Sequence, residues 1–155
     1  MVQYSGFNSG LIDAQIVKLI TNAPDLDVSE AIKAIAPVLK TIALKQKYSK
    51  YFLLQSPTGN LILTTLNQVS NPKIVKNVIY AYPNQAIAAQ DQKQNQKELQ
   101  NSIISEYEII PLLFQFLGMP EVDSLILNHN SPQEIERQKL YNLCQSQLKV
   151  NHNIA

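Results

Sequence analysis

The sequence has one cysteine, Cys144, so no disulfide can form within the chain, a usage that fits a reducing compartment. It has one arginine, Arg137, among thirteen basic residues, and a formal net charge of +1. Its lysines are spread along the chain and interleaved with carboxylates, so the concentrated basic face of a nucleic-acid site is missing. Long apolar runs are missing as well. The longest, residues 109–119, is interrupted by Gln115 and is too short to span a bilayer. The opening MVQYSGFNSG lacks the basic start and apolar stretch of a secretion signal, so the expected location is the cytoplasm. Gly6, Gly10, Gly59 and Gly118 lie too far apart for a phosphate-binding loop or a dinucleotide fingerprint. His129, His152 and Cys144 form no pair at metal-ligand spacing. The expectation is a chain without cofactor, metal, nucleic-acid partner or membrane association.

At 155 residues, 45% of them hydrophobic, the chain has the size of one domain. A chain of this length buries roughly two-thirds of its unfolded surface. Its polarity comes from amides, since glutamine and asparagine outnumber the charged residues. Neutral amides hydrogen-bond readily and repel like copies weakly, which suits contact with a partner. A compositional bias of the source genome explains the same amides equally well. Residues 11–149 read as a single domain between flexible ends at 1–10 and 150–155.

Ile12, Ile16, Leu19 and Ile20 mark one face of a short first helix, ended by Asn22-Ala23-Pro24. A second helix is expected from Asp27, capped with Glu30 in reply, and its stripe runs Val28, Ile32, Ile35, Leu39, Ile42. Pro37 is expected to kink it or to begin a new helix. Two strand-like runs, 51–54 and 61–66, flank Ser56-Pro57-Thr58-Gly59-Asn60 and predict a β-hairpin. Residues 78–82 read as a third strand, and 85–102 as a glutamine-rich helix with few apolar points or a disordered piece. Residues 103–110 are either a fourth strand or the lead-in to a helix. A short helix with Pro111 at its start and Gly118 at its end follows, then a strand over 122–127. Ser131-Pro132-Gln133-Glu134 predicts the start of a last helix, with Ile135, Leu140, Leu143, Cys144 and Leu148 inward. This order argues for an α+β fold, a largely antiparallel sheet of four to five strands flanked by helices.

Among the residues that carry chemistry, Cys144 sits on the apolar face of the last helix and reads as a small hydrophobe. Glu106 and Glu108 flank Tyr107 and make either a carboxylate pair on one strand face or exposed edge charge. His129 lies in an Asn-His-Asn turn. Tyr80 and Tyr82 share one strand face, with Tyr51 placed to meet them across the sheet. They form either an aromatic patch that grips a peptide or a cluster at the edge of the core. Residues 112–119, with Leu112, Leu113, Phe114, Phe116, Leu117 and Met119, are apolar nearly all round, which fits burial or a hydrophobic groove.

The stretches YFLLQSPTGNLILTTL, NVIYAYP and LLFQFLGMPEVDSLIL together resemble a family of small cyanobacterial α/β proteins. Among characterised proteins, the chain is similar to carboxysome shell-assembly chaperones in size and in having a sheet flanked by helices. The resemblance covers residues 28–148 and contains no diagnostic motif, so it transfers no functional residue. It implies a non-enzymatic protein that binds an extended tail of a shell subunit. The expected function is therefore an adaptor or assembly chaperone that contacts another protein through a sheet edge or residues 112–119. Tyr80, Tyr82, Phe114, Phe116 and Met119 are its expected partner-binding residues. A small-molecule-binding regulatory domain is the alternative, and an enzyme using Glu106, Glu108 or His129 is a third.

Overall fold

The computed structural model describes residues 5–95, 99, 101–127 and 131–154, with side chains from residue 9 to residue 150 among them. In chain order the elements are α1 (Ser5–Thr21), α2 (Leu26–Leu44), β1 (Lys50–Gln55), β2 (Thr64–Asn67), β3 (Val75–Ala81), α3 (Gln85–Gln94), β4 (Ile103–Glu108), α4 (Ile109–Leu117), β5 (Ser124–Leu127), β6 (Gln133–Glu136) and α5 (Arg137–Ile154). The fold is α+β, as the order of elements predicts. The chain divides into two compact units, a helical one with α1, α2, α4 and α5, and a sheet unit with the strands and α3.

In the helical unit, α1 begins at Ser5, ahead of the expected first turn. The N-cap of α2 is Asp25 rather than Asp27, and its extended backbone lets the carboxylate accept from the Val28 amide at 2.8 Å. Asp27 instead occupies the first turn, where a negative charge suits the helix dipole. Glu30 pairs with Lys33 at 3.3 Å instead of closing a capping box. Helix α2 runs through Pro37, which sits on its exposed side, so no second helix begins there. The inward face carries Ile32, Ala34, Ile35, Leu39 and Ala43.

Helix α4 packs against both α1 and α2. Its buried start poses an accounting problem, because the first helical N–H groups have no partner inside the helix. The Ile109 N–H donates to the Ser49 carbonyl at 2.9 Å, and the Ile110 N–H donates to Gln15 Oε1 at 3.0 Å. The third residue, Pro111, has no N–H to satisfy. Gln15 is itself buried, and its Nε2 donates to the Ser49 carbonyl at 2.9 Å. One side-chain amide therefore ties α1 both to the end of the α2–β1 connection and to the start of α4.

Phe116 corrects an expectation. It is fully buried, together with Ile109, Ile110, Leu112 and Leu113, so it belongs to the core and not to a partner surface. Phe114 is only half-buried. On α5, Leu140 and Cys144 are buried, whereas Leu143 is exposed. Burial pushes the Cys144 thiol up to about 11, in keeping with a thiol that packs rather than reacts.

In the sheet unit, the strands form a pair, β1–β4, and a four-stranded sheet in the order β2-β3-β5-β6. Strands β2 and β3 are antiparallel, as are β5 and β6, while β3 and β5 run parallel. The parallel pair within this largely antiparallel sheet needs a long crossover, which residues 82–123 supply. Val78, Ile79 and Ala81 of β3 and Ser124, Leu125 and Leu127 of β5 are all buried, the pattern of central strands covered on both faces.

Residues 133–136 form β6 and not the opening turn of the last helix. The sequence Ser131-Pro132-Gln133-Glu134 satisfies the local rule for a helix start, a cap worth about 1 kcal/mol. The strand instead pairs with β5 over four positions, from Ser124–Glu136 to Leu127–Gln133, and buries Ile135. Glu134 accepts from Lys76 and from the Ser124 hydroxyl, so the carboxylate that would have closed a capping box braces the sheet. Its hydrogen bond to Lys76 holds that ammonium above the usual lysine range. Helix α5 then begins at Arg137, whose N–H donates to the Asp123 carbonyl at 2.9 Å.

Replacing Gln15 with alanine leaves the buried Ile110 N–H unpaired and is expected to lower unfolding stability by about 1–3 kcal/mol, measured by urea denaturation. Phe116→Ala is expected to cost about 3–5 kcal/mol in the same measurement, the range for an aromatic removed from a packed core.

Candidate binding cleft

One edge of β3 is shared by two successive partners. Phe52 of β1 exchanges both backbone hydrogen bonds with Tyr82, at 2.8 Å each. Further along, Val78 to Val75 pair with Thr64 to Asn67 of β2. Tyr80 falls between these two pairings. The residue that continues the β2 register opposite it is Ile62, and the Ile62 N–H donates instead to the Leu54 carbonyl of β1 at 3.1 Å.

The expected hairpin is therefore real at its turn and divided beyond it. Gly59 takes φ 92°, a left-handed conformation that favours glycine, and its N–H donates to the Ser56 carbonyl at 2.9 Å. Ser56 N–H donates to the Asn60 carbonyl at 2.8 Å, and Gln55 bridges to Leu61. After Ile62 the chain leaves β1 and reaches β3 at Thr64. The handover opens a gap in the sheet beside Tyr80.

Helix α3 forms the other wall. Pro83 ends the strand, and the Asn84 side chain accepts from the Ile87 amide at 2.9 Å to start the helix. Ala88 is fully buried against Leu54 and Tyr82. This sets Ile87 and Asp91, four residues apart and on one helix face, toward the tyrosines. Gln92 fastens the helix from its other side, donating to the Ser102 carbonyl at 2.7 Å and to its hydroxyl oxygen at 2.9 Å.

Between these walls lies a cleft of about 720 Å³. Ile62, Thr64, Tyr80 and Tyr82 line it from the sheet, and Ile87, Asp91 and Asn95 from the helix side. The Tyr80 and Tyr82 rings stack at 6.4 Å with 27° between their planes. Tyr82 is 6% exposed and its hydroxyl donates to Asp91, while Asn95 Nδ2 donates to the other carboxylate oxygen at 2.7 Å. Burial first, and the Asp91 hydrogen bond second, push the Tyr82 phenol well above its ordinary value of 10.0.

Tyr80 and Tyr82, two expected partner-binding residues, come together here. Tyr51 does not join them; it is fully buried and lines no part of the cleft. Phe114 and Phe116 lie on α4 in the helical unit, and the half-buried Met119 lies in the stretch between α4 and β5. None of these three lines the cleft. Glu106 pairs with Lys50 at 3.5 Å, and Glu108 with Lys18 at 3.6 Å, both near the surface. Position 129 lies outside the described residues, as does the side chain at 152. Among the described residues no three His, Cys, Asp or Glu side chains gather as a metal site, and no helix is long and apolar enough to cross a membrane.

Sequence reasoning passed over Asp91 because the polar run around it reads as a solvated face. Its spacing from Ile87, with Ala88 between them, was the available signal. Among known proteins, no family model matches the chain, and no curated protein does.

A phenol whose folded-state proton affinity is raised adds stability that is complete below pH 10 and is lost as pH rises above it. Urea stability is therefore expected to fall more steeply above pH 10 in the native protein than in Tyr82→Phe, which has no phenol proton there to lose. Equal slopes in the two proteins contradict this assignment.

Proposed function

We propose that the chain is a non-enzymatic protein-interaction module, an adaptor or assembly chaperone, that receives an extended segment of another protein at the tyrosine cleft. The observation that carries this reading is the position of the cleft at the head of an uncharged outer strand. Strand β2 is outermost on its side of the sheet, and residues 61–67 contain no charged side chain. Natural edge strands are commonly protected by charge or proline. The opposite edge, β6, has that protection in Glu134 and Glu136. Around β2, Leu63, Leu66, Val69, Ile74 and Val75 are exposed.

An extended segment laid along β2 gains backbone hydrogen bonds and places one side chain in the cleft, the combination used in strand addition. The resemblance to carboxysome shell-assembly chaperones supports an extended tail of a shell subunit as the segment, in the cytoplasm. The cleft volume favours one second reading, a small-molecule-binding regulatory domain, since about 720 Å³ falls within the range of small-ligand sites.

The test is affinity purification of tagged native protein beside Tyr80→Ala, with chemical cross-linking to locate what is bound. Tyr80 is half-buried, so its removal is expected to leave the fold intact by circular dichroism. The expected result is a reproducible partner cross-linked to residues 61–67 and depleted by at least about tenfold in the variant, equivalent to about 1.4 kcal/mol. A partner retained by Tyr80→Ala, or cross-linked only to other elements, overturns the proposal.

A further inference from the structure

We infer that the cleft selects a cationic side chain, a lysine or arginine carried by the bound segment. The inference rests on reading the cleft as the binding site and adds the chemistry of its occupant. Among the described residues that line it, Asp91, Tyr80 and Tyr82 are the ionisable groups, and none is a lysine, arginine or histidine. The nearest lysine on the same helix, Lys93, is two positions from Asp91 and exposed, on a different side of α3.

Asp91 is held in place by two donors. Tyr82 and Asn95 each donate one hydrogen bond to it, one on each oxygen. A carboxylate has about four acceptor positions, so about two remain for a ligand. The donors fix its orientation before anything binds, which lowers the ordering cost of a charge-assisted contact. The raised proton affinity of Tyr82 keeps that phenol neutral and donating across the physiological range.

The stacked tyrosines supply the second half of the recognition. Aromatic faces attract an ammonium or guanidinium, and Tyr80 remains half-exposed to offer its ring. Ile62 and Ile87 line the same cleft and suit the methylene stem of a long basic side chain. An acidic side chain meets Asp91 with like charge. An apolar side chain strips water from the carboxylate without replacing its lost hydrogen bonds.

The experiment titrates isotopically labelled full-length protein with capped peptides of alternating valine and threonine around one central residue, which is lysine, arginine, norleucine or glutamate. Affinity and the movement of the Tyr80 and Tyr82 ring resonances are read together. The lysine and arginine peptides are expected to move both rings and to bind at least about tenfold more tightly than norleucine, with glutamate weakest. Asp91→Asn keeps the size of the side chain and is expected to abolish that preference. In the unmodified protein, affinity for the lysine peptide is expected to fall with added salt while that for norleucine holds, a check that needs no variant.

Norleucine binding as tightly as lysine, with both rings still moving, overturns the cationic selection and leaves the cleft standing as a peptide site. Peptides that move neither ring overturn both. N-acetyl-lysine amide binding as tightly as the lysine peptide overturns the extended segment as occupant and assigns the cleft to a small organic cation.

Discussion

A strand edge offers its hydrogen-bonding groups to one neighbour at a time, and the edge of β3 is divided between two. Phe52 takes Tyr82, Thr64 to Asn67 take Val78 to Val75, and Tyr80 is left between them. The rest of the cleft follows from that division. The chain from Leu61 to Thr64 must cross from β1 to β3, so the sheet cannot close beside Tyr80. Pro83 and Asn84 then turn the chain directly from β3 into α3, which brings Asp91 back over the strand that has just ended. A continuous hairpin pairing would fill the same space with backbone and leave no concave surface.

The helical unit is fixed by a different constraint, the need to satisfy a helix start inside an apolar environment. Helix α4 is so apolar that its own side chains cannot cap it, and Glu108 makes no side-chain cap bond. The solution comes from elsewhere in the sequence: Ser49 and Gln15 accept from the first two amides, and proline stands at the third position. A buried amide with both ends engaged is costly to replace, because either end, once removed, strands a polar group.

Local signals of the sequence were legible where short-range chemistry decides the outcome. The Gly59 turn, the β3 run ended by Pro83, and the burial of Leu140 and Cys144 follow from turn residues and periodicity alone. Residues 103–110 carried two signals, and both are realised, as β4 and then the first turn of α4. The failures have a common cause in long-range pairing. Ser131 to Glu134 has the chemistry of a helix cap, but β5 offers a ladder of backbone partners, and Lys76 and Ser124 engage Glu134. The handover of residues 61–64 likewise depends on partners distant in sequence. Of the five expected partner-binding residues, two line the cleft, the tyrosines at alternating positions 80 and 82. The opposing carboxylate was hidden in an amide-rich helix, and Phe116 was mistaken for surface because an apolar run looks alike in a core and in a groove.

The central claim is that the uncharged outer strand and its adjoining cleft form the surface at which another protein is bound. The most direct test is hydrogen–deuterium exchange of the purified chain with and without its co-purified partner. The account predicts protection concentrated at residues 62–67 and at Tyr80, with α1, α2 and α5 unchanged. Protection confined to the helices, with β2 exchanging equally fast in both states, would contradict it.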